Sequence, residues 1–300
     1  MHSIELPDTQ VSLSRLVYGV WRLADDNDTS TDQVRRKIDR CLEQGISSFD
    51  HADIYGNYEC ERLFGQALKA DASLRDQMQL VSKCDIALIS DKYPQRRVKH
   101  YDTSAAYINQ SVDNSLKHLH TDHLDLLLIH RPDPFMDAAE TGRTLDALVK
   151  SGKVKAVGVS NFKPDQWRLL QSRMSHKLCV NQIEMSVLEQ SAFIDGTLDA
   201  MQLDNVQAMA WSPLAGGRLF TDDAAAKRVK PLLQQLAEPV GGRLDLAAFA
   251  WLLAHPAKIL PVVGTNNLER ISGLADALKI EMDRETWFEI WTAATGVEVP

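Results

Sequence analysis

The chain has 300 residues, 44% hydrophobic and 25% charged, the balance of a globular protein with a sizeable core. Its 33 lysines and arginines against 41 aspartates and glutamates leave a net charge of −8, which repels phosphate backbones and anionic lipid and argues against nucleic-acid and membrane partners. No apolar run nears the roughly 18–20 residues of a membrane helix, and the opening "MHSIELPDTQ" has neither the basic region nor the apolar block of a signal peptide, so a cytoplasmic location is expected.

Residues 2–15 read as a hairpin turning at "PDTQ". A first apolar, β-branched run follows at 16–20, "LVYGV". In "TDQVRRKIDRCLEQG" the apolar residues Val34, Ile38, Cys41 and Leu42 share one helical stripe, and Gly45 is the stop signal. Further strands are expected at 46–50 ("ISSFD"), 78–84 ("MQLVSKC"), 124–130 ("LDLLLIH") and 154–161 ("VKAVGVSN"). A helix near 103–119 carries Ala106, Ile108, Val112, Leu116 and Leu119. Strands at 178–185 ("LCVNQIEM"), 206–212 ("VQAMAWS") and 259–265 ("ILPVVGT") complete a set of eight, with helix starts at "KPDQWRLLQ" and "NNLERISGLADAL". The segment 214–245 is too long for a plain loop; it should hold a helix near 224–238 and lie on the catalytic face or against the rest of the fold.

Eight near-continuously apolar strands alternating with helices predict an α/β fold, a closed (β/α)8 TIM barrel forming one domain over 1–300. The cysteines at 41, 60, 84 and 179 form no C-x-x-C pair and read as reduced packing residues. The glycosylation patterns at Asn27 and Asn109 are chance matches in a chain without a secretion signal.

In such a barrel the C-terminal strand ends converge on one cavity. Here they carry Asp50 followed by Tyr55, Lys83, His130, Ser160 with Asn161, Asn181 with Gln182, and Trp211 with Ser212. Each alone has a plainer reading, Asp50 as a turn residue, Lys83 as a solvated charge, His130 as a loop histidine before Pro132, Trp211 as core. Together they form a set suited to protonating a developing alkoxide. Lys83 pairs with Asp50 and is expected to lower the Tyr55 pKa from about 10 toward neutrality, which makes the phenol a usable acid or base. His130 would hold a carbonyl oxygen. A reducing equivalent must then come from outside, as hydride from a nicotinamide. The rival reading, a metal bound by Asp50, His51, Asp53, His130 and Asp133, is weakened because His51 should face away from Asp50 by strand alternation. No G-x-S-x-G and no strand-associated G-x-G-x-x-G occurs.

The chain resembles the aldo-keto reductases over nearly its whole length. The resemblance rests on "GISSFDHADIYG" followed by "ERLFG", the "SK" at 82–83, "LLLIHRPD", "GKVKAVGVSNF", "NQIE", "AWSPLAGG" and "PVVGTNNLER". "SPLAGGRL" is similar to the branch with an extended loop after strand seven, which includes potassium-channel β-subunit-like members. The resemblance implies a catalytic tetrad of Asp50, Tyr55, Lys83 and His130, with Tyr55 as general acid. It implies that Ser160, Asn161 and Gln182 hold the nicotinamide carboxamide and that Trp211 stacks on its ring. Ser212, Pro213, Leu214, Gly216 and Arg218 would pass over the pyrophosphate. Gly264, Thr265, Asn266 and Arg270 would bind the adenosine end, with Arg270 on a 2′-phosphate, favouring NADPH. Val20 and Trp21 are assigned to the cofactor site as well, although Val20 stands where the family usually has threonine; Gly264 replaces a common lysine; Gly273 and Leu274 replace an acidic residue and an asparagine.

The implied function is NADPH-dependent reduction of a small-molecule aldehyde or ketone. The alternative is a regulatory NADP(H)-binding sensor with vestigial turnover. Substrate contacts are expected from Trp21, Ile54, Tyr55 and His130, within loops at 21–27, 54–58 and 85–102 and the C-terminal tail. The basic cluster Lys92, Arg96, Arg97, Lys99 and His100 reads as a solvated face, the alternative being a preference for an anionic carbonyl substrate. No metal is expected, and a monomer or a small homo-oligomer is.

Overall fold

The computed structural model describes residues 3–300; Met1 and His2, the latter the first residue of the expected hairpin, lie outside the described residues. Strands β1 (Ser3–Glu5) and β2 (Ser12–Ser14) pair antiparallel as that hairpin. The barrel strands then begin with β3 (Val17–Gly19), β4 (Ser48–Asp50) and β5 (Gln79–Cys84). A short ribbon, β6 (Ile86–Ala87) with β7 (His100–Tyr101), follows. The barrel resumes with β8 (Leu124–Ile129), β9 (Val154–Ser160), β10 (Leu178–Glu184), β11 (Gln207–Trp211) and β12 (Leu260–Val263). Its order, β10-β11-β12-β3-β4-β5-β8-β9, closes on itself with every neighbour parallel.

The strands are buried on both faces, as their continuous apolar runs require. Inside the barrel sit Val17, Val81, Leu126, Leu128, Ala156, Val180 and Met209, joined from below by Leu6, Val11 and Leu13 of the hairpin, which plugs one end. The outer core lies between strands and helices. Helix Thr31–Leu42 buries Val34, Ile38 and Cys41, is capped by Ser30 Oγ on Gln33 N, and is followed by Gly45 at φ 80°. It also buries Lys37, which pairs with Asp26 and donates to Asn266 Oδ1 at 3.1 Å. Helix Ala105–His118 buries Ile108 and Val112 but, in place of the expected Ala106, turns Ser111 and Ser115 inward. Buried carboxylates need those hydroxyls. Asp53 accepts from Ser111 at 2.7 Å, and Glu61 accepts from Ser82 at 2.6 Å and from Ser115.

The extension after β11 contains a 3-10 turn (Ala215–Phe220) and helix Ala224–Ala237, which packs against helices Leu244–Leu253 and Arg284–Thr295. The aromatic residues of the C-terminal helix turn to the same neighbours. Trp287 stacks on Trp251 at 4.6 Å, and each indole N–H donates to the other's carbonyl at 3.1 Å. The helical part of the tail thus packs its indoles on the fold.

Candidate active site

Asp50, Lys83 and Tyr55 meet at the C-terminal mouth of the barrel. Asp50 ends β4, Lys83 is the last residue but one of β5, and Tyr55 follows in the loop after β4. The Lys83 side chain is fully buried, and its ammonium donates to Asp50 Oδ2 at 2.7 Å, His51 O at 2.8 Å and Tyr55 Oη at 3.1 Å. The other Asp50 oxygen accepts from Gln182 Nε2 at 2.8 Å. Every donor and acceptor of the charged pair is therefore spoken for, which a buried ion pair needs. Burial alone would depress the Lys83 pKa, but the charges and hydrogen bonds of Asp50 and Tyr55 outweigh it and hold it above the ordinary value.

Tyr55 departs from expectation. Its pKa lies above the ordinary value, not below it, because burial outweighs the pull of Lys83, and Asp50 adds to the rise. The phenol is thus protonated at neutral pH, with a proton to give. His130 follows β8, its ring centroid 5.9 Å from that of Tyr55 at 78°. Burial first, then Lys83, Arg131 and Lys99, lower its pKa well below the usual value, so the imidazole is neutral. A neutral imidazole and a protonated phenol side by side can donate two hydrogen bonds to one oxygen.

His51 turns away from this group, its ring 4.6 Å from that of Phe64 on the helix side of the strand. Strand alternation thus separates it from Asp50 as expected. Buried Asp53 also lies outside the tetrad, against Ser111 of helix Ala105–His118. Among the described residues no three histidine, cysteine, aspartate or glutamate side chains converge as a metal site would require.

On the opposite wall, Ser160 ends β9 and Asn161 follows it, Gln182 lies in β10 and Trp211 ends β11. They are already linked. Ser160 Oγ donates to Gln182 O at 2.8 Å, Asn161 Nδ2 donates to His130 O at 3.1 Å, and Trp211 Nε1 donates to Asn161 Oδ1 at 2.9 Å. Asn161 holds φ 63°, which an asparagine tolerates better than most residues. This wall could seat a planar amide and ring.

The residues that could hold phosphates lie beyond it. Ser212 holds φ 49°, and Ala215, Gly216 and Gly217 hold φ of 52°, 64° and 99°; the N–H groups of Ala215 and Gly217 donate to Ser212 O at 2.7 Å and Leu214 O at 3.0 Å, closing the turn on itself. Pro213 is buried beneath it and Leu214 half-buried, and the space over Gly216 and Gly217 is open. Arg218 is partly engaged, donating to Leu188 O at 2.9 Å. Arg270 is exposed, with no side-chain hydrogen bond among the described residues. A Cβ at Gly264 would press on Gly19 O at 3.0 Å, so a side chain at this position would be crowded. Thr265 O is fixed by Tyr18 Oη at 2.7 Å. Asn266 acts as a strut, since its side chain accepts from Lys37 and donates to Arg22 O at 2.7 Å. That use of Asn266 had no signal in the sequence, whereas Lys37 lies three residues after Val34 and four before Cys41, on the buried stripe of its helix.

Around the mouth, Val20 is buried and donates its N–H to Asp50 O at 3.0 Å, while Trp21 is exposed under the Arg22 guanidinium. Ile54 is half-buried beside Tyr55. The segment 85–102 is closed by the β6–β7 ribbon. Of its basic cluster, Arg97, Lys99 and His100 are exposed as expected. Lys92 and Arg96 are anchored instead, Lys92 on Glu59 and Arg96 on Tyr58 Oη at 2.6 Å.

Comparison with known proteins places the chain among relatives of one family. The model of the Aldo/keto reductase family matches residues 15–294. A 6-dehydroglucose reductase of Agrobacterium fabrum is 54% identical over 299 residues, covering 100% of both chains. A second protein of that name, from Novosphingobium aromaticivorans, is 38% identical and covers 99% of this chain and 96% of its own. Among solved structures, a glycerol dehydrogenase of Gluconobacter oxydans superposes with a TM-score of 0.84 at 22% identity, over 99% of this chain and 97% of that one, a likeness of fold.

Proposed function

The chain belongs to the aldo/keto reductase family, and we propose that it reduces an aldehyde or ketone to the alcohol, with NADPH as hydride donor and Tyr55 as general acid. The observation that carries this reading is the buried line Asp50–Lys83–Tyr55 with neutral His130 beside its acidic end. When bound, NADPH supplies the hydride that adds to the carbonyl carbon and leaves as NADP⁺. Tyr55 and His130 orient the carbonyl oxygen by hydrogen bonds. Tyr55 transfers its proton as that oxygen gains electrons, and the Lys83 ammonium stabilises the phenolate left behind. Asp50 and Gln182 hold Lys83 in place. Ser160, Asn161, Gln182 and Trp211 would seat the nicotinamide, residues 212–218 the pyrophosphate, and residues 264–270 the adenosine end, with exposed Arg270 as the guanidinium for a 2′-phosphate.

Two relatives named for 6-dehydroglucose, one of them matching this chain from end to end, support a substrate class. We place the natural substrate among sugar aldehydes. NADPH oxidation would be followed with 6-dehydroglucose, with 4-nitrobenzaldehyde and with glucose. The proposal expects the highest kcat/KM with the sugar aldehyde and none with glucose. Equal or better use of the aromatic aldehyde removes the substrate assignment. NADPH binding without turnover of either aldehyde removes the reductase reading in favour of a sensor.

A further inference from the structure

Directly after Tyr55 the backbone enters an unusual turn. Gly56, Asn57 and Tyr58 hold φ of 57°, 54° and 66° in succession. At Gly56 the constraint is also steric, since a Cβ would come within 2.5 Å of Ala24 Cβ and 2.7 Å of Cys60 Sγ. At Asn57 and Tyr58 it is conformational. Side-chain-bearing residues avoid this region, a bulky aromatic most of all, and consecutive residues in it persist only where the surroundings impose them.

The surroundings here are the mouth segment 85–102. Tyr58 Oη accepts from Leu88 N at 3.0 Å and from Arg96 Nη1 at 2.6 Å. Tyr58 O accepts from Lys92 Nζ at 3.1 Å. The Arg96 guanidinium sits 3.8 Å from the centroid of Tyr93 and 5.7 Å from those of Tyr58 and Tyr107, and it also donates to Leu88 O at 3.2 Å. Tyr93 and Tyr58 meet edge to face at 5.0 Å. Among the described residues Arg96 makes no salt bridge, so its charge is held by rings and oxygens. The same segment carries Lys99, whose charge acts on His130.

We propose that Arg96 is a positioning residue for Tyr55: it locks the left-handed turn 56–58 and so ties the mouth segment to the catalytic phenol. This rests on the general-acid reading of Tyr55. A phenol displaced by about 1 Å loses on the order of 10²-fold in rate. Arg96→Met removes both the fork and the charge, and Tyr58→Phe removes only the oxygen on which Arg96 and Leu88 converge. Arg96→Lys keeps a cation over the rings but loses the fork geometry.

The test uses NADPH and 4-nitrobenzaldehyde, with kcat counted per NADPH-binding site titrated by tryptophan quenching, so that unfolded protein does not enter. Arg96→Met is expected to lower kcat by about 10–100-fold, with NADPH affinity within about twofold because the cofactor wall is built on other strands. Arg96→Lys should recover part of the loss. Tyr58→Phe should fall by a similar factor, and the double variant should fall by less than the product of the two, since both residues act on the same turn through a shared contact. If Arg96→Met does not fold, Tyr58→Phe and Arg96→Lys carry the same expectation. Tyr55→Phe runs beside them. A dead Tyr55→Phe with near wild-type kcat in the Arg96 and Tyr58 variants overturns the lock. An active Tyr55→Phe overturns the reading on which it rests.

Discussion

Lys83→Met removes a side chain of comparable length and leaves Asp50 Oδ2 without its 2.7 Å partner, while Oδ1 keeps Gln182 at 2.8 Å. Both members of the pair are buried, so the loss is that of one partner from a buried ion pair, about 3–5 kcal/mol. For a chain of this size that corresponds to a fall in Tm of about 5–8 °C. Kinetics should suffer separately. The phenol loses the cation that stabilises its conjugate base, and kcat should fall by about 10²-fold or more. Adding Asp50→Asn removes the stranded charge. The double variant should recover most of the stability and none of the kcat, because a neutral amide in place of the carboxylate can lie buried without an ion pair. Urea unfolding, with the m-value checked for constancy, and NADPH oxidation at saturating aldehyde measure the two effects. The reasoning is refuted if Lys83→Met loses less than about 1 kcal/mol, the range of an exposed pair, or if the double variant is no more stable than the single one.

Two further perturbations probe the surroundings. Burial pushes the Asp53 carboxyl up to about 8, against the pull of Ser111. Between about pH 4 and that value the unfolded chain has released this proton and the folded chain has not, so this group lowers stability as pH rises. Asp53→Asn should therefore gain on the wild type between about pH 5 and about pH 8 in urea melts; a constant difference would deny the buried carboxylic acid. Arg270→Met should weaken NADPH binding by about 10–100-fold, from the loss of a charge-assisted contact, and leave NADH binding unchanged; equal loss for both would move the 2′-phosphate elsewhere.

Much of the barrel was readable because burial on both faces writes an unbroken apolar run, and because each run stops at a polar residue. Asp50, Lys83, His130, Asn161 and Trp211 follow or end such runs, which is why their convergence could be anticipated. His51 was separable from Asp50 by the twofold period of a strand, and its packing on Phe64 bears that out. The balance of forces on Tyr55 was not readable. A list of neighbours gives the sign of the Lys83 effect, while the larger effect, burial, depends on how tightly loops close over the phenol. Lys37 and Arg96 escaped for a related reason. A lysine at the edge of an apolar stripe and an arginine in a basic loop both have ordinary solvated readings, and only the third dimension supplies Asp26 with Asn266 for one and three tyrosine rings for the other. The inward turn of Ser111 and Ser115 belongs with these, since apolar periodicity cannot register a face whose task is to satisfy Asp53 and Glu61.

The general-acid role of Tyr55 is the claim on which the rest depends, and one paired measurement addresses it. Turnover of NADPH and NADPH affinity by tryptophan quenching are compared in wild type and Tyr55→Phe with the same aldehyde. The ring keeps its place and only the Oη that receives the Lys83 hydrogen bond is lost. The account predicts a fall in kcat of about 10²–10⁴-fold with cofactor affinity within about twofold. A variant that turns over at near the wild-type rate would show that another group delivers the proton.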